Sequence, residues 1–240
     1  QMAYYNPGMD NQELFIERIE EYFRDIFTIA DSDGEIDFAQ YAHFMIIHAG
    51  SDWQHDVYGD TPSDIPSFFI QIGDGKEVWV NDGTVKISHA CNVPETISQD
   101  ERYGVINAVV AHEFGHSLGF VDLYNVNNFS PAVGYWDIMD SGGAGRLSLQ
   151  GYDGEWYALE GGLPALPGAW HRLLVWGDEL KDMGVYKQIN DFPVGEEIPL
   201  TAASSLFDSD NPLPYFVRVP LNATEYLLLE NRHVDPDGDG

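Results

Sequence analysis

Residues 112 to 122 read His112-Glu113-Phe114-Gly115-His116-Ser117-Leu118-Gly119-Phe120-Val121-Asp122, and they decide more about the fold and chemistry of this chain than any other stretch. On a helix, His112 and His116 lie one turn apart on the same face, so both imidazoles can reach one zinc ion. Gly119 can take a positive φ and end the helix, which turns Asp122 back toward the same ion. The segment therefore predicts a zinc site with the two histidines and the aspartate as ligands.

The glutamate inside this pattern has a chemical role of its own. Glu113 follows the first predicted ligand, where its carboxylate could hold a water and act as a general base. A bare His-Glu-x-x-His pattern arises by chance in roughly one chain in a hundred of this length. Requiring Gly119 and Asp122 as well lowers that frequency to roughly a few in a hundred thousand. The complete pattern therefore favours a metallopeptidase over an ordinary amphipathic helix.

The residues before the motif carry a helix-start signal. Ser98 and Glu101 have the spacing of a capping box, in which the hydroxyl and the carboxylate satisfy free backbone N–H groups. We therefore expect a helix from near Gln99 to near Leu118. One face of this helix is apolar and can be buried, which leaves the motif side chains facing a cleft.

A second segment, Tyr135 to Gly143, places one methionine in a tight, glycine-rich turn. In metzincin-type peptidases a methionine turn lies beneath the metal, so Met139 is the candidate for that position. Taken alone, Met139 is more simply interpreted as an ordinary core residue. The zinc motif upstream favours the methionine turn.

Several stretches together form a wider pattern. They are His112 to Tyr124, Trp136 to Met139, Asp31 to Asp37 leading into Ile46 to Gly50, Gly168 to Gly177, and Glu225 to Arg232. With them the chain resembles the immune inhibitor A family of secreted bacterial metallopeptidases. The resemblance implies zinc-dependent endopeptidase activity on proteins, with calcium for stability. Leu123 departs from the pattern, because an acidic residue is expected after the aspartate ligand.

An acidic stretch near the amino terminus is the candidate calcium site. Asp31, Asp33, Glu35 and Asp37 offer carboxylates at alternate positions around Gly34, as hard oxygen ligands of Ca²⁺ do, and the three aspartates are the candidate ligands. The stretch is shorter than an EF-hand loop and lacks its terminal glutamate. Two interpretations stay open, a calcium site formed by these three aspartates and a solvated acidic turn.

Composition limits the partners. The 240 residues include 40 acidic and 11 basic side chains, a formal net charge of -29, which argues against binding nucleic acid or an anionic membrane. No apolar run is long enough for membrane insertion, and Cys91 alone cannot form an intramolecular disulfide. We expect a secreted protein whose leader, and any propeptide, are absent from this chain. Its expected partner is a protein or peptide substrate.

The order of predicted elements indicates an α+β fold of the zincin or metzincin kind. We expect a catalytic domain over residues 1–165, with a small twisted sheet, the zinc helix and the methionine turn. Residues 166–240 are expected to form one helix and a mainly β part packed on that domain. The chain stops in a turn after a strong strand, so we expect the natural polypeptide to continue.

The predicted function is hydrolysis of peptide bonds by zinc-activated water, with substrate lying along an edge strand near Thr84 to Ser88. One alternative is a catalytically silent extracellular module that binds calcium, although such a module has no need of Glu113. Another is a gluzincin site with Glu155 or Glu160 as third ligand, which the Gly119 turn disfavours. Candidates for stabilising the oxyanion are His171, Tyr135, Tyr152 and Tyr157.

Overall fold

A computed structural model describes residues 2–8, 11–205, 210 and 213–232 of the chain. It has an α+β fold with mixed helices and small sheets. The helices are α1 Met2–Tyr5, α2 Gln12–Asp33, α3 Asn107–Ser117 and α4 Ala169–Asp182. The strands are β1 Met45–His48, β2 Phe68–Gln71, β3 Val78–Val80, β4 Val85–Ile87, β5 His89–Pro94, β6 Tyr103–Gly104, β7 Tyr124–Asn125, β8 Ser130–Pro131, β9 Arg146–Gln150, β10 Trp156–Glu160, β11 Tyr186–Gln188, β12 Phe216–Pro220 and β13 Tyr226–Glu230.

By their internal contacts the residues form two compact units. The first combines Gln1–Gly119 with Gly143–Pro164, and the second combines Phe120–Gly142 with Ala165–Gly240. Residues 135–142 of the methionine turn group with the carboxy-terminal residues. The domain division expected between residues 165 and 166 stays a prediction.

Helix α2 supplies one side of the core of the first unit. Asn11 caps it by accepting a hydrogen bond from the N–H of Leu14 at 3.1 Å, and Gly34 ends it with φ 73°. Its apolar face buries Phe23 and Phe27 almost completely, which contributes about 1.5 to 3 kcal/mol for each side chain. The helix reaches Asp33, so part of the expected acidic loop is its last turn.

The sheet of the first unit lies against this helix and against α3. Its strand order is β1-β5-β2, with β1 parallel and β2 antiparallel to the central β5. Strands β3 and β4 form a separate hairpin, whose Val78, Val80 and Ile87 pack against Phe23 and Phe27. Helix α3 packs on β5, which therefore forms the floor beneath the motif helix.

The prediction that the motif helix begins near Gln99 is wrong, since α3 begins at Asn107. Asp100 and Glu101 have φ of 55° and 62°, a left-handed conformation that no right-handed helix contains. Ser98 bonds through its hydroxyl to the peptide groups of Gly104 instead of capping a helix. Strand β6 then pairs with β10 in a small sheet of order β6-β10-β9.

The second unit contains α4, the β7-β8 pair and a sheet of order β11-β12-β13. Ala169, Tyr186 and Phe216 form its buried cluster, and the Tyr186 and Phe216 rings stack at 5.1 Å. Residues 197–200 form no regular element. Within the described ranges, no helix is both long and apolar enough to cross a membrane.

Candidate metal centre

The three predicted ligands lie together at the end of α3. His112 and His116 project from successive turns, with ring centroids 5.0 Å apart and ring planes at 87°. Gly119 has φ 100°, and its N–H donates to the His116 carbonyl at 3.0 Å, which ends the helix and turns the chain. One potential ligand atom from each of His112, His116 and Asp122 lies within 4.8 Å of the other two.

This donor set fits a catalytic zinc ion. Two imidazole nitrogens and one carboxylate oxygen are ligands that zinc prefers, and three protein ligands leave a fourth position for water or substrate. All three side chains are half-buried, so the site is reached from solvent.

Glu113 is held beside these ligands by the same helix. Its side chain is buried, and its backbone carbonyl accepts a hydrogen bond from the Cys91 thiol of β5 at 3.1 Å. The same thiol lies 3.2 Å from the Ser117 hydroxyl. Burial raises the pKa of Cys91, which therefore stays a neutral thiol and acts as a packing residue.

Rings from elsewhere in the first unit contact side chains of α3. Phe69 of β2 lies 5.8 Å from the His116 ring, measured between centroids, and 5.9 Å from His89. His43 lies 5.6 Å from Phe114. The outer strand β2 therefore lies next to His116, a predicted metal ligand.

The methionine turn holds the residue that follows the third ligand. Met139 is fully buried, and its carbonyl accepts a hydrogen bond from the N–H of Leu123 at 2.8 Å. The turn is closed by Asp137, whose carboxylate accepts from the N–H of Met139 at 2.9 Å. Met139 is thus connected to the chain directly after Asp122. Its expected position beneath a metal stays a prediction.

Asp140 organises the loop before the turn. One carboxylate oxygen accepts from the N–H groups of Ala132, Val133 and Gly134 at 2.8 to 2.9 Å, and the other accepts from Ser141. Burial alone raises the pKa of Asp140, but these backbone hydrogen bonds outweigh it and hold the pKa below its ordinary value.

Asp137 also pairs with a histidine that the sequence did not connect to it. His171 is fully buried, and its Nδ1 lies 3.0 Å from Asp137 Oδ2 while its Nε2 lies 2.9 Å from the Val121 carbonyl. Burial raises the pKa of Asp137, whereas hydrogen bonds from His171, Met139 and Gly168 lower it by more. The expectation that His171 could stabilise an oxyanion is wrong, since both of its ring nitrogens are engaged inside the unit.

The other oxyanion candidates differ in their surroundings. The Tyr157 hydroxyl donates to Asp153 at 2.6 Å. Tyr135 and Tyr152 have exposed side chains. A role for any of the three stays a prediction.

The predicted calcium ligands are not gathered at one point. In the part of the chain that the structure describes, only two groups of potential ligands converge, and Asp31, Asp33 and Asp37 are not among them. Asp31 instead accepts from the N–H of Asn81 at 2.8 Å, and Asp37 accepts from the Asn81 amide at 2.7 Å. Calcium binding at these aspartates stays a prediction.

The second converging group consists of Asp56, Asp60 and Asp100. No sequence pattern singles it out, because Asp100 lies 40 or more positions from Asp56 and Asp60. Neither Glu155 nor Glu160 joins the group formed by the motif histidines. Glu160 lies 3.5 Å from Arg146 in the neighbouring strand.

Comparison with known proteins places the chain in a family. Residues 22–155, more than half of the chain, match the family model described as the immune inhibitor A peptidase M6 catalytic domain. No curated protein gave a match. The matched region contains both motif histidines, Glu113 and Asp122. The chain therefore belongs to the immune inhibitor A (M6) family of metallopeptidases, as the sequence resemblance indicated.

Proposed function

We propose that this chain is a secreted zinc-dependent endopeptidase that hydrolyses peptide bonds in protein substrates. The observation that carries the proposal is the convergence of His112, His116 and Asp122 within 4.8 Å, on the segment that also holds Glu113. Membership of a metallopeptidase family supports the reaction class. The family match gives no support to the alternative of a silent calcium-binding module.

His112, His116 and Asp122 would hold the ion. When bound, zinc would supply a Lewis acid that polarises the scissile carbonyl and lowers the pKa of a water toward about 7. Glu113 would accept the proton of the attacking water on its carboxylate. The same carboxylate would then pass that proton to the departing amine nitrogen, so that Glu113 ends the cycle ionised again.

An extended peptide would bind along β2. The strand that the sequence predicts near Thr84 to Ser88 is β4, which pairs with β3 in a hairpin, and substrate binding there stays a prediction. Within the described residues β2 pairs only with β5, so one side of its backbone is open to pair with another strand. Phe69 of β2 lies beside His116, which would bring an added strand close to the ligands.

Secretion and calcium binding belong to the same proposal. A formal net charge of -29 creates self-repulsion that cations reduce. An extracellular medium supplies both calcium and salt. The sequence and its family therefore favour a secreted enzyme that zinc activates and calcium stabilises.

The test compares metal content and casein cleavage in matched glutamate variants. Glu113→Gln keeps the shape of the side chain but cannot accept a proton, so it should retain zinc and lose about 100- to 10,000-fold in activity. Glu155→Gln, at an exposed position, is the control and should keep both properties. A zinc chelator should abolish the cleavage by the unmodified chain.

Three results would contradict the proposal. One is a loss below about tenfold in Glu113→Gln, far less than removal of a general base causes. Another is cleavage that the chelator does not affect. The third is an unmodified chain that binds calcium but neither binds zinc nor cleaves casein.

A further inference from the structure

One carboxylate, Asp137, organises the backbone on both sides of Asp122. Its Oδ1 accepts from the N–H of Met139, and the Met139 carbonyl in turn accepts from the N–H of Leu123. Its Oδ2 faces Nδ1 of His171, whose Nε2 faces the peptide of Val121. Val121 and Leu123 are the two neighbours of Asp122 in the chain. All of these residues lie in the second unit.

The surroundings of Asp137 fix it firmly. Its Oδ2 also accepts from the N–H of Gly168 at 2.6 Å. A Cβ at Gly168 would lie 2.8 Å from that oxygen, so any side chain there would displace the carboxylate. The Arg232 guanidinium donates to the carbonyls of Trp136 and Leu166, on either side of this contact. Asp137 is thus a rigid anchor.

The link through His171 forms in both ring states that carry a proton on Nδ1. Nε2 lies 2.9 Å from the Val121 carbonyl and 3.3 Å from the Val121 N–H. With a proton on Nδ1 alone, the ring donates to Asp137 and accepts from the Val121 N–H. With both nitrogens protonated, it donates to Asp137 and to the Val121 carbonyl. Either state joins the carboxylate to the peptide before Asp122.

Packing adds to the hydrogen bonds. The His171 ring lies 4.8 Å from Phe120 at 34°, and Phe120 also contacts Trp176 at 5.3 Å between centroids. Residues 120 to 123 form no helix or strand, so no backbone ladder holds them. His171 is therefore a buried contact that orders the chain just before Asp122.

We propose that His171 is a positioning residue, which holds the Val121 peptide so that Asp122 is aimed at the metal before the metal binds. The proposal rests on the proposed zinc site and goes beyond it by assigning a role to a side chain that would not touch the ion. Outer partners of metal ligands commonly contribute about 10- to 100-fold to metal affinity. If loss of the anchor leaves Asp122 in place about a tenth of the time, the zinc dissociation constant rises about tenfold.

Two substitutions at position 171 separate the ends of this link. In His171→Gln the amide nitrogen lies far enough from the backbone to replace Nε2 and keep the contact with Val121. In His171→Asn the amide nitrogen replaces Nδ1, which keeps Asp137 satisfied and releases Val121. Trp176→Phe is the control, because it alters packing on the same Phe120 ring and removes no hydrogen bond to residues 121 to 123.

Zinc dissociation constants of the full chain would be measured by competition with a chromophoric chelator, and the visible spectrum of the Co²⁺ form would report ligand geometry. We expect His171→Asn to weaken zinc about tenfold or more and to alter the Co²⁺ spectrum. His171→Gln should restore most of the affinity, and Trp176→Phe should stay near the unmodified chain. Circular dichroism of the metal-free proteins shows whether each variant is folded.

The possible failures are distinguishable. Equal zinc affinity in His171→Asn and the unmodified chain would overturn the positioning role while leaving the zinc site intact. An equal loss of zinc affinity in His171→Asn, His171→Gln and Trp176→Phe would also overturn the positioning role, since general destabilisation would then explain the effect. An unmodified chain that binds zinc no better than His112→Ala would overturn the proposed site, and the positioning role with it. If His171→Asn does not fold, the zinc affinities of His171→Gln and Trp176→Phe are compared. A His171→Gln variant that binds zinc more weakly than Trp176→Phe would overturn the proposal that contact with Val121 restores the affinity.

Discussion

Replacing Asp140 by asparagine should destabilise the second unit in a pH-dependent way. The side chain is buried, with 8% of its surface exposed, and one of its oxygens accepts three backbone N–H groups. An amide oxygen can still accept these bonds, but without the charge. Charge-assisted hydrogen bonds contribute about 1.5 to 3 kcal/mol and neutral ones about 0.5 to 1.5 kcal/mol, so each loses about 1 kcal/mol.

The second carboxylate oxygen adds to this cost. It accepts from the N–H of Ser141 at 2.6 Å, and the amide nitrogen of asparagine would leave that donor unsatisfied, at about 1 kcal/mol. Together these effects predict that Asp140→Asn lowers the free energy of unfolding by about 3 to 4 kcal/mol. Urea denaturation followed by tryptophan fluorescence measures the difference. Asp153→Asn is the control, because that exposed carboxylate also accepts from a local backbone N–H but should contribute much less.

The sign of the pH dependence follows from the lowered pKa of Asp140 in the folded chain. A carboxyl whose pKa is lower when folded stabilises the fold above its unfolded pKa, which is about 3.9. That stabilisation disappears as the pH falls through the folded pKa. The gap between Asp140→Asn and the unmodified chain should therefore be full at neutral pH and shrink below about pH 4. A gap below about 1 kcal/mol at pH 7, or one that does not change with pH, would refute this account.

Three further predictions concern the site and the ions. Asp122→Ala should weaken zinc strongly and abolish turnover, whereas Glu160→Ala should leave zinc content unchanged; metal analysis that gave the opposite pattern would make Glu160 the third ligand. Met139→Ala should lower the free energy of unfolding by about 2 to 5 kcal/mol, because a fully buried side chain leaves a cavity; chemical denaturation checks this. If the loop around Asp33 binds calcium, Asp33→Ala should remove part of the rise in melting temperature that calcium causes. Sodium chloride at matched ionic strength is the control there, and a salt effect as large as that of calcium would leave only a solvated turn.

The convergence of the three candidate ligands could be predicted because their spacing is local. His112, His116 and Asp122 lie within 11 consecutive positions, so helix geometry and one glycine are enough to bring them together. The helix start could not be predicted in the same way. Ser98 and Glu101 have the spacing of a capping box. The residues that follow them, Tyr103 and Gly104, pair instead with residues 159 and 160 as a strand. Such a tertiary contact can override a local helix-start signal, and the spacing of residues in the sequence does not reveal it.

The support of the centre was beyond prediction for a related reason. Asp137 and His171 are 34 positions apart, and no periodic pattern links them. The sequence drew attention to both of their segments, and also to the one that ends in Arg232, but not to their contact with each other. Strand β5 could not be separated from β4 in the sequence, because it follows β4 after a single residue with no glycine or proline between them.

The anchoring of Asp137 limits how short an active fragment of this protein can be. The region that matches the family ends at residue 155, between the paired strands β9 and β10, so a fragment cut there would leave β9 without its partner. It would also lack Gly168, His171 and Arg232, which hold the Asp137 turn. We therefore expect that a fragment with peptidase activity must extend at least to Arg232. The shortest active fragment should therefore extend past the region that matches the family by about a third of the chain.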